Sequence, residues 1–372
     1  MKIAYAAQVP IPSHRAYAVH VMRMCEAFAG LGHEVTLYAM RPSVEVNDPF
    51  AYYGLPANFC LEHVRLLPLR GISGPLYGRA IVHKSIAEGT PDLVYSRHIY
   101  AAYAAFRSGL PVVYEVHMPV SNNLHRILLS HMLRDETRFA LVSITQALKE
   151  QYLRDFPQMS VDRMRVAHDG AVSPRVTMSP DSGEKTLRVG YVGNLYPGKG
   201  MELIVEIAAR MPDLTFDIVG GRQEDILYWL RRVRSENITL HGHKPHGELQ
   251  QFFDRMDVLL LPLQREVSPD GGRSDISRWT SPMKMFEYMA QGRAIIASDL
   301  PVLGEVLTNE HDALIASSDD PDAWVFCIRR LVADARLRCR LAENARQELE
   351  TNYTWAARCR HILSNLPSGF PT

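Results

Sequence analysis

The segment that decides the fold runs from Ser281 to Asp299 and reads SPMKMFEYMAQGRAIIASD. Ser281 followed by Pro282 predicts a helix start at which the serine hydroxyl caps the first amides. Gly292 predicts the left-handed stop, so the helix is about ten residues long. The Ala-Ile-Ile-Ala run that follows is typical of a buried strand, and the segment is therefore an α-to-β unit.

Glu287 is the unusual residue of this segment, because it places a carboxylate near the middle of a short helix. The amides and the positive dipole end at the start of such a helix form an anion site. Side chains lean back toward the helix N-terminus, so a phosphate bound there would bring an attached ribose close to Glu287. The alternative is an exposed glutamate paired with Lys284, worth about 0.2–0.5 kcal/mol. The pattern alone leaves both interpretations open.

The order Ser-Pro-x-Lys-x-Phe-Glu-Tyr-Met-Ala-x-Gly, then an apolar strand and Ser-Asp-x-Pro, resembles the donor-binding segment of glycosyltransferase family 4. The resemblance implies an α/β protein of the GT-B fold, with two Rossmann-like domains that face a central cleft. It also implies that Glu287 binds the nucleotide ribose, and that Ser281, Pro282 and Met283 at the helix start face the donor diphosphate.

One position departs from the family pattern. Many members have an acidic residue eight positions before the ribose-binding glutamate, and this chain has Trp279 there. Asp275 and Glu266 in the preceding loop are weak substitutes, so the residue that holds the hydroxyls of the donor sugar stays open.

A second motif follows the strand predicted at Leu187–Gly193 and reads NLYPGKG, from Asn194 to Gly200. Backbone amides at Gly198 and Gly200, with the Lys199 ammonium, can neutralise a diphosphate. A P-loop is excluded because its lysine is followed by Ser or Thr, and a plain βα turn is the alternative. By resemblance Lys199 matches the family's diphosphate-binding lysine, whereas Asn194 stands where many members have arginine.

The resemblance further implies that the loop after a later strand borders the nucleobase, through Gly242, His243 and Pro245. No metal is expected. The histidines at 241, 243 and 246 lack a carboxylate or cysteine to complete a ligand set. Asp319, Asp320 and Asp322 are explained by a helix cap with an acidic first turn.

The first domain has its own candidate residues at predicted strand ends, where ligands of open α/β sheets bind. His117 follows the strand 111–116 and matches the histidine that family members place beside the donor sugar; a strand-end histidine satisfied by its neighbours is the alternative. Weaker acceptor-side candidates follow the first strand and the strand 92–96, and they are Ser13, Arg15, Arg97 and His98.

Composition restricts the class of protein. The chain has 372 residues, which indicates two domains, and its 47% hydrophobic and 22% charged residues are typical of a globular protein. The net charge is zero, so no field attracts nucleic acid. Five cysteines without C-x-x-C spacing indicate reduced thiols. No apolar run is long enough to span a bilayer and the N-terminus passes straight into a strand, so we expect a cytoplasmic protein.

Alternating strands and helices predict parallel sheets in two domains, 1–168 and 169–352, with a hinge near Ser173–Glu184 and a last helix in 353–372 that crosses back to the first domain. In the first domain, four cationic residues are interleaved with apolar ones. They predict either peripheral contact with the inner face of a membrane or an ordinary strand and helix with solvated cations, and they are Arg65, Arg70, Arg79 and Lys84.

The resemblance implies a retaining glycosyltransferase without cofactor or metal. The donor is a nucleoside-diphosphate sugar, with UDP favoured over GDP, and the acceptor is a glycan, a glycolipid or other lipid-linked molecule, or a small molecule. Two alternatives remain. A sugar-nucleotide epimerase of the same fold would need Glu115 and Asp169 to move a proton. A non-catalytic binding subunit is suggested by Trp279 and Asn194, which replace residues often charged in the family.

Overall fold

The computed structural model describes residues 1–13, 15–42, 44, 46–66, 69, 71–173, 187–266, 275, 277–364 and 366–370, apart from the side chain of residue 246. The chain divides into two compact units, one formed by Met1–His168 with Trp355–Thr372 and the other by Asp169–Thr354. Of the predicted hinge Ser173–Glu184, only Ser173 lies within the described residues.

The first unit is a parallel seven-stranded sheet in the order β3-β2-β1-β4-β5-β6-β7. Its strands are β1 Lys2–Pro10, β2 Glu34–Met40, β3 Cys60–His63, β4 Leu93–Ser96, β5 Val112–Val116, β6 Phe139–Ser143 and β7 Met164–Val166. Its helices before the second unit are α1 Ala16–Gly30, α2 Pro49–Tyr53, α3 Ser73–Gly89, α4 Ile99–Arg107, α5 Asn123–Met132 and α6 Gln146–Asp155. Every residue of β6 is buried, as expected of a strand covered by helices on both faces.

The second unit is a parallel six-stranded sheet in the order β10-β9-β8-β11-β12-β13. Its strands are β8 Arg188–Val192, β9 Thr215–Val219, β10 Ile238–Gly242, β11 Val258–Leu261, β12 Ala294–Ser298 and β13 Leu314–Ala316. Its helices are α7 Met201–Arg210, α8 Gln223–Leu230, α9 Gln250–Phe253, α10 Met283–Ala290, α11 Pro321–Ala333 and α12 Ala335–Glu348. The prediction of two Rossmann-like domains is confirmed.

The last helix, α13 Trp355–Leu363, packs on α1 within the first unit. It brings the guanidinium of Arg358, which is 3% exposed, into the interior of that unit. There Arg358 donates to the carbonyl oxygens of Ala167 at 3.1 Å and His168 at 2.8 Å. The end of the chain is thus held by buried charged hydrogen bonds as well as by apolar packing.

The predicted start of the deciding helix is wrong by one residue. Helix α10 begins at Met283 and has eight residues, with Pro282 at the N-cap and no side-chain cap. The Ser281 hydroxyl instead accepts a hydrogen bond from the Asp169 amide at 3.0 Å, because a buried backbone donor distant in sequence competes for it. The predicted stop is confirmed, since Gly292 has φ of 59°.

Within the cationic stretch of the first unit, Arg65 follows β3, and Arg79 and Lys84 lie on α3. Lys84 is engaged by two carboxylates, Glu62 at 3.1 Å and Glu88 at 2.8 Å, while Arg65 and Arg79 are exposed. Arg70 lies outside the described residues. Within the described part of the chain, no helix is long and apolar enough to cross a membrane. Peripheral membrane contact stays a prediction.

Candidate functional site

The loop between β8 and α7 contains two positions that require glycine. Gly193 has φ of 156° and Gly200 has φ of 84°, conformations that other residues rarely adopt. A Cβ at Gly200 would lie 2.0 Å from the Pro262 carbonyl oxygen, so the loop is pressed against the end of β11. Gly198 also has φ of 84°, and its carbonyl oxygen accepts from the Gln264 amide at 3.0 Å. The loop is therefore held in one conformation at the strand ends.

Helix α10 is fastened to β8 through Tyr288. The Tyr288 hydroxyl accepts from the Val192 amide at 2.7 Å and donates to the Val192 carbonyl at 3.2 Å. One turn earlier on the same face, Lys284 extends over the start of the loop. Its Nζ lies 3.8 Å from the centroid of the Tyr191 ring, and a Cβ at Gly193 would come within 2.5 Å of that nitrogen.

The Lys284 ammonium is buried and has no hydrogen-bond partner in the described part of the chain. The alternative sequence interpretation, a surface pair of Lys284 with Glu287, is therefore not what the structure shows. Burial, and then the positive charge of Lys199, hold the pKa of Lys284 well below its usual range, although Glu287 opposes that shift. A cation buried without a hydrogen-bond partner is costly, so this position is suited to an anion.

Lys199 is the second cation of the loop. It is half-buried, and burial lowers its pKa to about 8. Its side chain forms no ion pair with a described carboxylate. Helices α7 and α10, which begin beside the two lysines in sequence, both lack a side-chain cap from the described residues, so the amides of their first residues are available to donate. Two amines, whose charges act on one another, and two uncapped helix starts are therefore available to a strongly charged anion.

The remaining predicted donor residues lie around this unit's strand ends. Asn194, His243 and Pro245 are exposed, and Gly242 ends β10 with φ of 69°. Pro282, Met283 and Glu287 are half-buried at the start and in the middle of α10. Asp275 accepts from both the amide and the hydroxyl of Ser277, which engages it in a local turn. Glu266 is exposed.

Glu115 is the centre of a buried polar cluster in the first unit. It is 1% exposed, and Arg358 Nη2 donates to its Oε2 at 3.0 Å, where the Tyr95 hydroxyl also donates. His117 Nε2 lies 2.5 Å and His20 Nε2 3.2 Å from Oε1. Burial by itself raises the pKa of Glu115, but the charge of Arg358, with His20 and His117, holds it well below its usual range. Glu115 is therefore an ionised, fully occupied carboxylate.

His117 is held as a neutral imidazole by this cluster. Burial lowers its pKa to about 3 and the charge of Arg97 adds to the shift, while the hydrogen bond to Glu115 opposes it. Because the imidazole is neutral and Glu115 is ionised, Nε2 carries the proton and donates, which leaves Nδ1 as the acceptor. The alternative prediction for His117, a strand-end histidine satisfied by its neighbours, holds for Nε2, which is one of the two ring nitrogens.

His20, Glu115 and His117 are also the group of described residues that could hold a metal ion. The Arg358 guanidinium already supplies the positive charge that a metal would bring to this carboxylate.

In the predicted histidine group, His241 Nε2 bonds Asp217 at 2.7 Å, and the side chain at 246 lies outside the described residues. Asp320 caps α11, which confirms that prediction.

The weaker first-unit candidates fall into different surroundings. Arg97 follows β4 and lines a pocket together with His117. His98 is buried against the rings of Tyr77 and Tyr100, outside that lining, and burial lowers its pKa to about 4. Ser13 is buried, with its backbone bonded to Tyr53, and Arg15 is exposed at the start of α1.

Sequence reasoning missed two charged residues of these sites. Lys284 was considered only as a partner of Glu287, although its position in the Ser-Pro-x-Lys motif was a usable signal. Arg358 gave no signal, since it lies in an unremarkable Arg-rich helix 243 residues from Glu115.

Two family models match the chain. Residues 17–171 match the model of Glycosyltransferase Family 4, and residues 186–334 match that of Glycosyl transferases group 1. Each match covers most of one of the two parallel sheets described above.

Whole-length similarity supports the same family. The chain is 24% identical to a phosphatidyl-myo-inositol mannosyltransferase of Mycolicibacterium smegmatis, over 92% of this chain and 88% of that protein. It is 24% identical to a D-inositol 3-phosphate glycosyltransferase of Stackebrandtia nassauensis, over 73% and 67%. Its fold is similar to that of Anabaena HepE in complex with UDP and glucose, with a TM-score of 0.72 and 15% identity over 98% of each chain.

Proposed function

Since the chain belongs to the glycosyltransferases of family 4 and group 1, which have the GT-B fold, we propose that it transfers a sugar from a nucleoside-diphosphate donor, with UDP favoured, to an acceptor hydroxyl. The observation that carries this proposal is the pair of lysines beside the β8–α7 loop, Lys199 and Lys284, neither of which is paired with a described carboxylate. UDP is favoured because the similar HepE structure holds UDP and glucose.

The lysine pair is suited to stabilising a leaving diphosphate. Negative charge on the diphosphate grows as the glycosidic bond breaks, so ammonium groups and helix amides fixed beside it favour the transition state over the bound donor. Lys199 and Lys284 would supply the charge that the family's arginine gives at the position of Asn194. Glu287, on the same helix as Lys284, is assigned to the ribose.

We propose transfer with retained anomeric configuration, with the donor phosphate helping to deprotonate the acceptor hydroxyl. Glu115 is the carboxylate of the His117 pocket, and its oxygens are already engaged by Arg358, Tyr95 and His117, which argues against its acting as a nucleophile. The same engagement argues against the epimerase alternative, which needs that carboxylate to move a proton. His117, neutral and oriented by Glu115, is assigned to the donor sugar.

The acceptor proposed is a glycan, a lipid-linked molecule or a small molecule. The similar mannosyltransferase and glycosyltransferase are named for phosphatidyl-myo-inositol and inositol 3-phosphate, which favours acceptors that carry phosphate. We propose no metal or other cofactor, since the two lysines and the helix starts supply the positive charge.

The test has two parts. Isothermal titration with UDP, GDP and ADP should show one tightly bound nucleotide, and the matching sugar donors should then be consumed, with the anomeric configuration of product read by NMR. Chelator should leave the rate unchanged. Absence of nucleotide binding, or interconversion of the donor sugar without transfer, would refute the proposal. A chelator-sensitive rate restored by magnesium or manganese would refute its metal-independent part.

A further inference from the structure

The first unit contains a small pocket where β4 and β5 end side by side. The two strands are parallel neighbours, and Arg97 and His117 follow their last residues. The pocket has a volume of about 220 Å³, and its lining includes Tyr17, Arg97, Tyr114, His117 and Tyr152. It lies at the edge of the sheet where ligands of open α/β folds bind.

The charges of the pocket are not balanced. Arg97 is the cation among its lining residues, and its guanidinium lies 3.9 Å from the centroid of the Tyr17 ring. It forms no hydrogen bond or ion pair with a described residue. The lining carboxylate is Glu115, whose charge is offset by the buried guanidinium of Arg358 at 3.0 Å. The pocket therefore keeps one uncompensated positive charge.

The field of that charge reaches the neighbouring groups. Burial, and then the charge of Arg97, lower the pKa of His117. The His117 imidazole is therefore neutral, and Arg97 is the cation that an anion in the pocket would meet. Tyr114 also lines the pocket, and its hydroxyl forms no hydrogen bond with a described residue. The Tyr152 hydroxyl, by contrast, already donates to the Met118 carbonyl at 3.0 Å. The Arg97 guanidinium and the Tyr114 hydroxyl are thus available to donate hydrogen bonds to a ligand.

The size of the pocket limits what it holds. Pockets that bury a whole small-molecule ligand measure about 300–1,000 Å³. At about 220 Å³ this one holds one end of a ligand, and the rest must extend outside. Arginine binds planar or tetrahedral oxyanions bidentately, which a neutral sugar hydroxyl does not reproduce.

We propose that this pocket binds an oxyanion, a phosphate or a carboxylate, carried by the acceptor, and that Arg97 determines the preference for acceptors bearing one. The inference rests on the proposed glycosyltransferase function and adds the chemical class of its acceptor. The uncharged part of the acceptor, with the hydroxyl that receives the sugar, extends out of the pocket.

The test uses the protein saturated with UDP, so that the lysine site is filled before the probe is added. Glucose, glucose 6-phosphate, glucuronate and inorganic phosphate are titrated by ligand-observed NMR. An oxyanion bound by Arg97 should bind about ten- to a hundredfold more tightly than glucose, since hydrogen bonds to charged groups have that strength. The phosphate and the carboxylate probes separate the two sources of the oxyanion.

Three variants read out the role of Arg97. Arg97→Gln should remove the preference for the oxyanion while UDP affinity stays unchanged, and Arg97→Lys should restore part of it. Arg79→Gln makes the same charge change at an exposed position of the same unit and should behave as wild type.

The inference is overturned if no oxyanion, inorganic phosphate included, binds more tightly than glucose, or if Arg97→Gln matches Arg79→Gln. Loss of UDP affinity in Arg97→Gln would also overturn it, because the pocket would then serve the donor. Failure of the wild-type protein to bind any nucleotide is a separate result, which refutes the proposed function first.

Discussion

Replacing Lys284 by methionine should change stability and affinity in opposite directions. The Lys284 ammonium is buried over Gly193 and the Tyr191 ring without a hydrogen-bond partner in the described chain. Methionine has a similar length and no polar group to desolvate, so the nucleotide-free protein should gain stability. The same change removes a cation from the proposed diphosphate site, so UDP should bind more weakly.

Both magnitudes follow from the burial of that one amine. An unsatisfied buried polar group costs about 1–3 kcal/mol, and each kcal/mol raises the Tm of a domain of 150–250 residues by about 2–4 °C. A hydrogen bond to a charged group contributes about 1.5–3 kcal/mol, so UDP affinity should fall about ten- to a hundredfold. Burial lowers the pKa of Lys284, so the unfolded chain binds its proton more readily. The stability gain should therefore be larger at pH 8 than at pH 10.

The assay combines thermal unfolding without nucleotide and isothermal titration with UDP. Lys149→Met, a half-buried position on α6 of the first unit, makes the same chemical change and controls for loss of a positive charge. It should leave UDP affinity unchanged. A Lys284→Met protein that is less stable than wild type, or that binds UDP with unchanged affinity, would show that Lys284 has a structural role and would refute the reasoning.

Three further outcomes are expected. UDP affinity measured by titration should fall as the pH rises above about 8, by up to tenfold per pH unit. Burial sets the pKa of Lys199 at about 8 in the nucleotide-free protein and bound diphosphate raises it, so above pH 8 UDP binding takes up a proton. An affinity that stays constant from pH 7 to pH 10 would exclude this. Glu287→Gln should weaken UDP binding about tenfold or more by titration, and unchanged affinity would remove Glu287 from the ribose site. His117→Ala should lower the rate of donor turnover and leave UDP affinity unchanged, whereas a large loss of UDP affinity would mean that His117 supports the fold.

Local signals in the sequence were sufficient for most of the elements that carry the site. The apolar run before Gly193 predicted β8, the glycines and Lys199 predicted the loop, and the spacing of apolar residues up to Gly292 predicted α10. These elements are encoded by neighbouring residues: Gly193, Gly200 and Gly292 all have positive φ, and the sequence marks them directly as glycine.

Interactions between distant residues were not predictable in the same way. The Ser281 hydroxyl was expected to cap its own helix, yet it bonds the amide of Asp169, 112 positions earlier. Glu115 was considered as a proton-transfer group, yet Arg358 neutralises it from 243 positions away. In both cases the fold brings in a partner that is distant in sequence, because buried donors and acceptors must be satisfied.

Lys284 shows why the donor site itself follows from the fold. On an isolated helix its favourable partner is Glu287, three residues later, for a few tenths of a kcal/mol. In the folded chain Tyr288 fixes α10 against β8, and the lysine side chain, leaning toward the helix start, is placed over Gly193. A Cβ at that position would come within 2.5 Å of the amine, so glycine is what allows the approach. In the folded chain Lys284 therefore lies buried beside Lys199 instead of forming a weak surface pair with Glu287. An anion at the start of the helix would stabilise the charges of both lysines.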